Sequence, residues 1–209
     1  MAKIVIFGAG GRAGRRAADE AARRGHQVTA VVRDPSAHPA LASSGVSVVA
    51  GDVTDAASVA ATAAGHDAVI HAAVDLTAGE FFTAASQALV EGLGKAGVRR
   101  LVAVGLASIM PGPSGGPMMD EPGYPNEYRS FYLAHAAGLE VLKESGLEWT
   151  YVAPAGDFDH EGERSGAYGI ATYGDAADRI TYPDFAIALV DEVENGAHAR
   201  ASFIVQAHP

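Results

Sequence analysis

The chain has 209 residues, 48% of them hydrophobic and 19% charged, ordinary values for a soluble globular protein and enough for one sizeable α/β domain. Its formal net charge of −10 argues against nucleic acid or an anionic membrane surface as a partner, because little would offset the phosphate charge. The absence of cysteine excludes disulfides, thiolate metal sites and cysteine nucleophiles and fits a reducing cytoplasm, and the eight histidines show no ligand spacing beside carboxylates, so no metal site is expected.

The first expected strand is "IVIF" (4–7), too short an apolar run for a secretory signal peptide; no later apolar stretch reaches the ~18 residues of a membrane span. It runs into Gly8, Gly10, Gly11 and Gly14, with Arg12 and Ala13 among them, and then into a helix at about 12–24 with Ala13, Ala17, Ala18 and Ala21 on one face. A strand, Gly8-x-x-Gly11-x-x-Gly14 and a helix bring backbone N–H groups up to a diphosphate. Gly8 permits the tight turn, Gly11 removes the side chain that would block the phosphate, and Gly14 lets helix and strand approach. The helix N-terminus adds attraction for the anion.

"QVTAVV" (27–32) is the second strand. Where a chain that binds NAD carries an acid at this strand's end, Arg33 stands here. Arg33 and Arg12 are expected to clamp an adenosine 2′-phosphate, which makes NADP (NADPH) the expected cofactor. Asp34 remains a candidate ribose ligand, so NAD is the alternative. A weaker helix is expected near 36–44, then a strand "VSVVA" (46–50). "GDVTD" places Asp52 and Val53 where an adenine would lie, with Thr54 or Asp55 as N-cap of a helix at 55–64. The strand "DAVIH" (67–71) ends on His71, which either faces the nicotinamide side of the cofactor or is a hydrogen-bonded core histidine. Small Ala72 and Ala73 follow and let the cofactor pass over the strand end.

A helix at 79–96 leads to the strand "RLVAVG" (100–105). The next stretch, "MPGPSGGPMMDEPGYP" (110–125), holds five prolines and four glycines, too many for helix or central strand. It lies at the carboxyl edge, where open α/β sheets bind ligands. Met118, Met119, Tyr124 and Tyr128 in or beside it read as a lid over a flat substrate, or as a loop pinned to its own core. A helix at 126–145 and the strand "EWTYVA" (148–153) follow; Pro154, Asp157 and Phe158 are expected to border the pocket, and "DHEGER" reads as a solvated charged turn. Beyond Pro154 the chain is rich in Gly and Asp up to an amphipathic helix at 183–196 and a last strand, "ASFIVQA" (201–207). Apolar strands alternating with helices imply an α/β, Rossmann-like, doubly wound parallel sheet with helices on both faces. One domain is expected over 1–209, with a core at 1–153 and a small substrate-side elaboration at 154–209.

"FGAGGRAG", "VVRDP", "GDVTD", "GHDAVIHAA", "SGLEWTYVAPA" and "YPDFAIALVDEVEN" together resemble the atypical short-chain dehydrogenase/reductase group with NAD(P)H-binding domains, which includes NADH-flavin reductase-like, biliverdin-reductase-B-like and NmrA-like proteins. The likeness spans nearly the whole chain. It implies a Rossmann fold, a nicotinamide cofactor and reduction of flavins, quinones or carbonyls. The extended branch of that superfamily sets a Ser about two dozen residues before a Tyr-x-x-x-Lys helix. Ser108 precedes Tyr132 by 24 residues, but Ala136 stands in the lysine position and His135 lies one residue off that face. The resemblance thus implies Tyr132, Ser108 and His135 as candidate catalytic residues, with His135 as a partial substitute for the lysine. Without that lysine Tyr132 is a weaker general acid, which suits hydride transfer to a flavin or quinone whose proton comes from water.

The expected function is an NADPH-dependent reductase acting on a small conjugated molecule, a flavin or quinone first and an aldehyde or ketone second, in a monomer or homodimer. The alternatives are a dinucleotide-sensing regulator of the NmrA-like kind without turnover, and an epimerase or dehydratase.

Overall fold

A computed structural model describes residues 1–43, 45–77 and 79–208 of the chain. The apolar runs form the strands expected of them: β1 (Lys3–Phe7), β2 (Gln27–Val32), β3 (Val46–Ala50), β4 (Ala68–His71), β5 (Arg100–Val104), β6 (Glu148–Pro154) and, last in the chain, β10 (Ala201–Ala207). The helices are α1 (Arg12–Arg23), α2 (Ala56–Ala63), α3 (Phe81–Ala96), α4 (Arg129–Glu144) and α5 (Tyr182–Asn195). Asp55 is the N-cap of α2, accepting a 2.9 Å bond from the Ala57 N–H. Thr181 caps α5 through the Asp184 N–H, and Gly196 ends that helix in the left-handed conformation.

The strands between β6 and β10 are β7 (Asp157–Asp159), β8 (Tyr168–Ala171) and β9 (Arg179–Thr181). Eight strands join one sheet in the order β3-β2-β1-β4-β5-β6-β10-β8, all parallel except β8, which runs antiparallel along β10. β7 and β9 pair in parallel as a separate two-stranded sheet. The order reverses between β1 and β4, which opens a crevice at the carboxyl ends of those two strands. Alternate strand residues feed two cores. Val5, Phe7, Val69 and Leu101 pack under α2, α3 and α4, whereas Ile4, Ile6, Ile70 and Val102 pack under α1 and α5. Both faces are dry because both are covered, which is why these strands read as continuous apolar runs.

One expectation is corrected. The helix expected at 36–44 is two 3-10 turns, Pro35–Ala37 and Pro39–Leu41, because each proline starts a new turn and Pro39 cannot extend the first; Ser44, its expected last residue, lies outside the described residues. The Gly- and Asp-rich stretch after Pro154 carries β7, β8 and β9. The charged residues of "DHEGER" are exposed, as expected of a solvated turn; Arg164 also reaches buried Glu20, and just beyond the turn the Ser165 and Gly166 N–H groups donate to buried Asp184. Burial raises the Glu20 pKa, and Arg23, Arg24 and Arg164 together outweigh it, holding the carboxyl at about 2. Among the described residues no helix is long and apolar enough to cross a membrane, and no group of three or more His, Asp or Glu could hold a metal ion.

Candidate functional site

The crevice is framed by the turn after β1 and the end of β4. Gly8 has φ +80° and lies against the second strand end: a Cβ there would stand 2.3 Å from the Ala73 nitrogen. Gly14 faces back onto the same turn, where a Cβ would be 2.2 Å from the Gly8 carbonyl oxygen. Gly11 differs from both. A Cβ on it would meet only the Gly8 oxygen, at an ordinary 3.4 Å, so the space beyond is open. Gly11 is the N-cap of α1 and brings no side chain to it, nor is there an acid in the first turn. The first helical N–H groups, from Arg12, Ala13 and Gly14, therefore have neither an intrahelical partner nor a side-chain cap. A glycine cradle with bare amides and a helix dipole behind it fits an anionic diphosphate.

Half-buried Ala72 and Ala73 form the opposing wall, with the Ala72 N–H donating to the Phe7 carbonyl. Gly10 is covered by the His38 imidazole, which fills the place of its missing Cβ.

At the end of β2, Arg33 is exposed and makes no hydrogen bond or ion pair among the described residues; its charge is felt by Asp52. Asp34 is turned to another task. Its carboxylate accepts from the Ser36 N–H at 2.9 Å and the Ser36 hydroxyl at 2.7 Å, capping the first 3-10 turn, and these bonds lower its pKa. Asp52 likewise accepts from the Thr54 N–H and hydroxyl, which with the Arg33 charge lowers its pKa. Val53 is 6% exposed and turns its side chain into the core, so an adenine contact through that side chain is not available.

The expected clamp of Arg12 and Arg33 is not formed. Arg12 opens α1 on the flank shared with α5, and its guanidinium contacts His160, beyond β7. Pro154 ends β6, buried beside Val205. Phe158 stacks on Tyr182 at 4.1 Å and packs edge-on to Phe185, so it belongs to the α5 core rather than a pocket wall; Asp157 is exposed.

The second half of the edge carries hydroxyls. Ser108, just beyond β5, is 3% exposed, and its Oγ lies 2.9 Å from the Tyr124 hydroxyl. Tyr132, on the first turn of α4, is also buried and interacts with Ser108. Burial and the neighbouring Tyr124 raise its pKa, against a smaller lowering by Ser108, so it stays a protonated phenol. The spacing of Ser108 and Tyr132 therefore does correspond to a meeting in space. Tyr124 is the residue of this group that the sequence offers as part of a lid or of a loop pinned to its own core, not as a partner of Ser108. Met118 and Met119 are not lid residues: they are 2% and 7% exposed and pin the loop to the body, while Tyr128 is exposed.

His135 does not stand in for the lysine. It is buried on the same face of α4 as Tyr132, Leu139 and Leu142, against Phe82 with ring centroids 3.6 Å apart and the planes tilted by 35°. The Leu106 N–H donates to the Tyr151 oxygen, so the Tyr151 O–H is free to donate to His135 Nδ1, at 3.1 Å. Burial, and then the nearby His71, push the His135 pKa down to about 3. His71 ends β4 with its Nδ1 buried and unpartnered, and burial alone lowers its pKa to about 4. It is a core histidine, but not a hydrogen-bonded one at Nδ1. Ala136 holds the lysine position, and the neutral imidazoles of His135 and His71 supply no cation that could lower the Tyr132 pKa.

Residues 8–195 match a family model described as NAD(P)H-binding. The chain is 32% identical over 212 residues to "Uncharacterized protein YwnB" of Bacillus subtilis, with 97% of both chains covered. Among solved structures it is similar to a Burkholderia pseudomallei protein named "putative exported protein", at 38% identity and TM-score 0.86, covering 99% of this chain and all of that one. A "putative NADH-flavin reductase" from Streptococcus pneumoniae is 28% identical at TM-score 0.82, with both chains covered completely.

Proposed function

The chain belongs to this NAD(P)H-binding family, and on that premise we propose that it is an NADPH-dependent oxidoreductase whose substrate is a small conjugated molecule, a flavin or quinone first and an aldehyde or ketone second. The observation that carries the reading is the open position beyond Gly11, beside uncapped amides, on the same sheet edge as the Ser108 and Tyr132 hydroxyls. When bound, the nicotinamide supplies a hydride. The Arg12, Ala13 and Gly14 amides hold the diphosphate, and Ala72 and Ala73 leave room for the cofactor to cross β4. Unpaired Arg33 takes the 2′-phosphate, next to Asp34, whose Oδ1 accepts from Ser36. Ser108 and Tyr132 donate hydrogen bonds to the substrate atom on which negative charge develops. Catalysis rests on proximity and exclusion of water more than on a strong proton donor. Residues 154–209 border the substrate side of this single domain.

A second reading, a dinucleotide sensor without turnover, is favoured by Ala136 in place of lysine and by the neutral His135. Mixing the protein with NADPH and FMN, menadione or benzaldehyde, and following nicotinamide absorbance, separates the two. Oxidation of NADPH with any of them supports the reductase; firm binding with no oxidation across the panel supports the sensor. Arg33→Ala tests the cofactor preference by calorimetry. Loss of a charge-assisted bond of about 1.5–3 kcal/mol should weaken NADPH by about tenfold to a hundredfold and leave NADH unchanged. Equal weakening of both would contradict the assignment of Arg33.

A further inference from the structure

The Tyr124 hydroxyl, which the proposed reaction leaves unassigned, lies against the Ser108 hydroxyl. We infer that Tyr124 is a positioning residue for Ser108: it donates its hydrogen to the serine oxygen and so leaves the single serine hydrogen directed at the substrate. This inference rests on the reductase reading and deepens it.

Ser108 is buried, and its Oγ has one hydrogen to give and two lone pairs to fill. Tyr124 lies 2.9 Å from it and Tyr132 interacts with the same oxygen, their rings meeting edge to face at 6.0 Å. A phenol is far more acidic than an aliphatic alcohol, so in a Tyr–Ser pair the phenol is the better donor and the serine the better acceptor. With Tyr124 donating inward, the serine hydrogen has no competing use on that side. Without Tyr124, the serine hydroxyl is free to rotate, and its hydrogen is shared between Tyr132 and solvent.

The loop that carries Tyr124 is fixed rather than swinging. Buried Met118 donates its N–H to the Met110 carbonyl, and Gly174 donates to the Pro111 carbonyl at 2.8 Å. Arg129, at the start of α4, bonds both the Met119 carbonyl and the Asp120 carboxylate. The same arginine thus joins the loop that carries Tyr124 to the helix that carries Tyr132.

The test uses the full chain with NADPH and menadione, and a double-mutant cycle between Tyr124→Phe and Ser108→Ala. Tyr124→Phe keeps the ring, so the melting temperature should hold. Its kcat should fall about tenfold, the effect of one misdirected hydrogen bond, with KM for menadione and Kd for NADPH within about twofold of wild type. Ser108→Ala should lose at least as much, and the double variant should be no slower than Ser108→Ala alone. The inference is overturned if Tyr124→Phe retains full kcat, if it raises KM alone, or if the two losses multiply in the double variant. If wild-type protein binds NADPH but reduces none of the panel, the reductase reading fails and this inference with it. Active wild type with an unaffected Tyr124→Phe sinks only the inference.

Discussion

Gly11→Val is expected to weaken NADPH at least a hundredfold, about 2.7 kcal/mol, while changing the melting temperature by only a few degrees. The valine would project into the space where the diphosphate belongs, and nothing of the protein stands there except the Gly8 oxygen at 3.4 Å from its Cβ. The backbone tolerates the change, because Gly11 is already extended at φ −79° and ψ 170°. Its neighbour in the fingerprint behaves in the opposite way. Gly14→Ala drives a methyl to 2.2 Å from the Gly8 carbonyl oxygen and 2.7 Å from its carbon, both main-chain atoms that can yield only by moving the turn. A stability loss of about 3 kcal/mol is expected, the upper end of overpacking costs, and loss of binding comes with it. Thermal melts paired with calorimetric titrations separate the two glycines. A Gly11→Val protein that binds NADPH normally would mean that the diphosphate does not lie in this cradle.

The second large effect is acid destabilisation above the carboxylate range. His71 and His135 titrate near 4 and 3 in the folded chain, against an ordinary value of 6.5. Between pH 6.5 and about 4 the unfolded chain therefore binds more protons than the folded one, and stability rises with pH. It is fully present above 6.5 and is lost on acidification. Each histidine contributes about 1.4 kcal/mol per pH unit, so the pair removes on the order of 4 kcal/mol by pH 5. Urea denaturation at pH 7, 6 and 5 measures it. His71→Phe should remove about half of the slope without orphaning a partner of Nδ1, because that nitrogen has none. A stability that stays level from pH 7 to 5 would contradict the burial of these two imidazoles.

The central sheet is legible in the sequence because its strands are covered on both faces and so are written as unbroken β-branched runs. Asp55 could be read as a cap because capping is a local bond, closed within two residues. What the sequence conceals is mostly non-local. The contact of Arg12 with His160 spans 148 positions and takes Arg12 away from Arg33. β7, β8 and β9 are three or four residues long and half-exposed, so they carry no apolar run to find. Tyr124 meets Ser108 only once the loop folds back over the edge. The burial of His135 was more accessible: Tyr132, His135, Leu139 and Leu142 follow one another at spacings of three, four and three, the stripe of a helix face turned to a core. Asp34 shows the reverse case, where a residue type suited to a ribose is consumed by its own turn before a proline.

Diffraction from crystals of the protein grown with NADPH tests the dinucleotide assignment most directly. The diphosphate should lie on the Arg12, Ala13 and Gly14 amides, with the 2′-phosphate against Arg33 and the nicotinamide toward Ser108 and Tyr132. A dinucleotide bound elsewhere on the chain, or density showing side chains or solvent alone beyond Gly11, would contradict it.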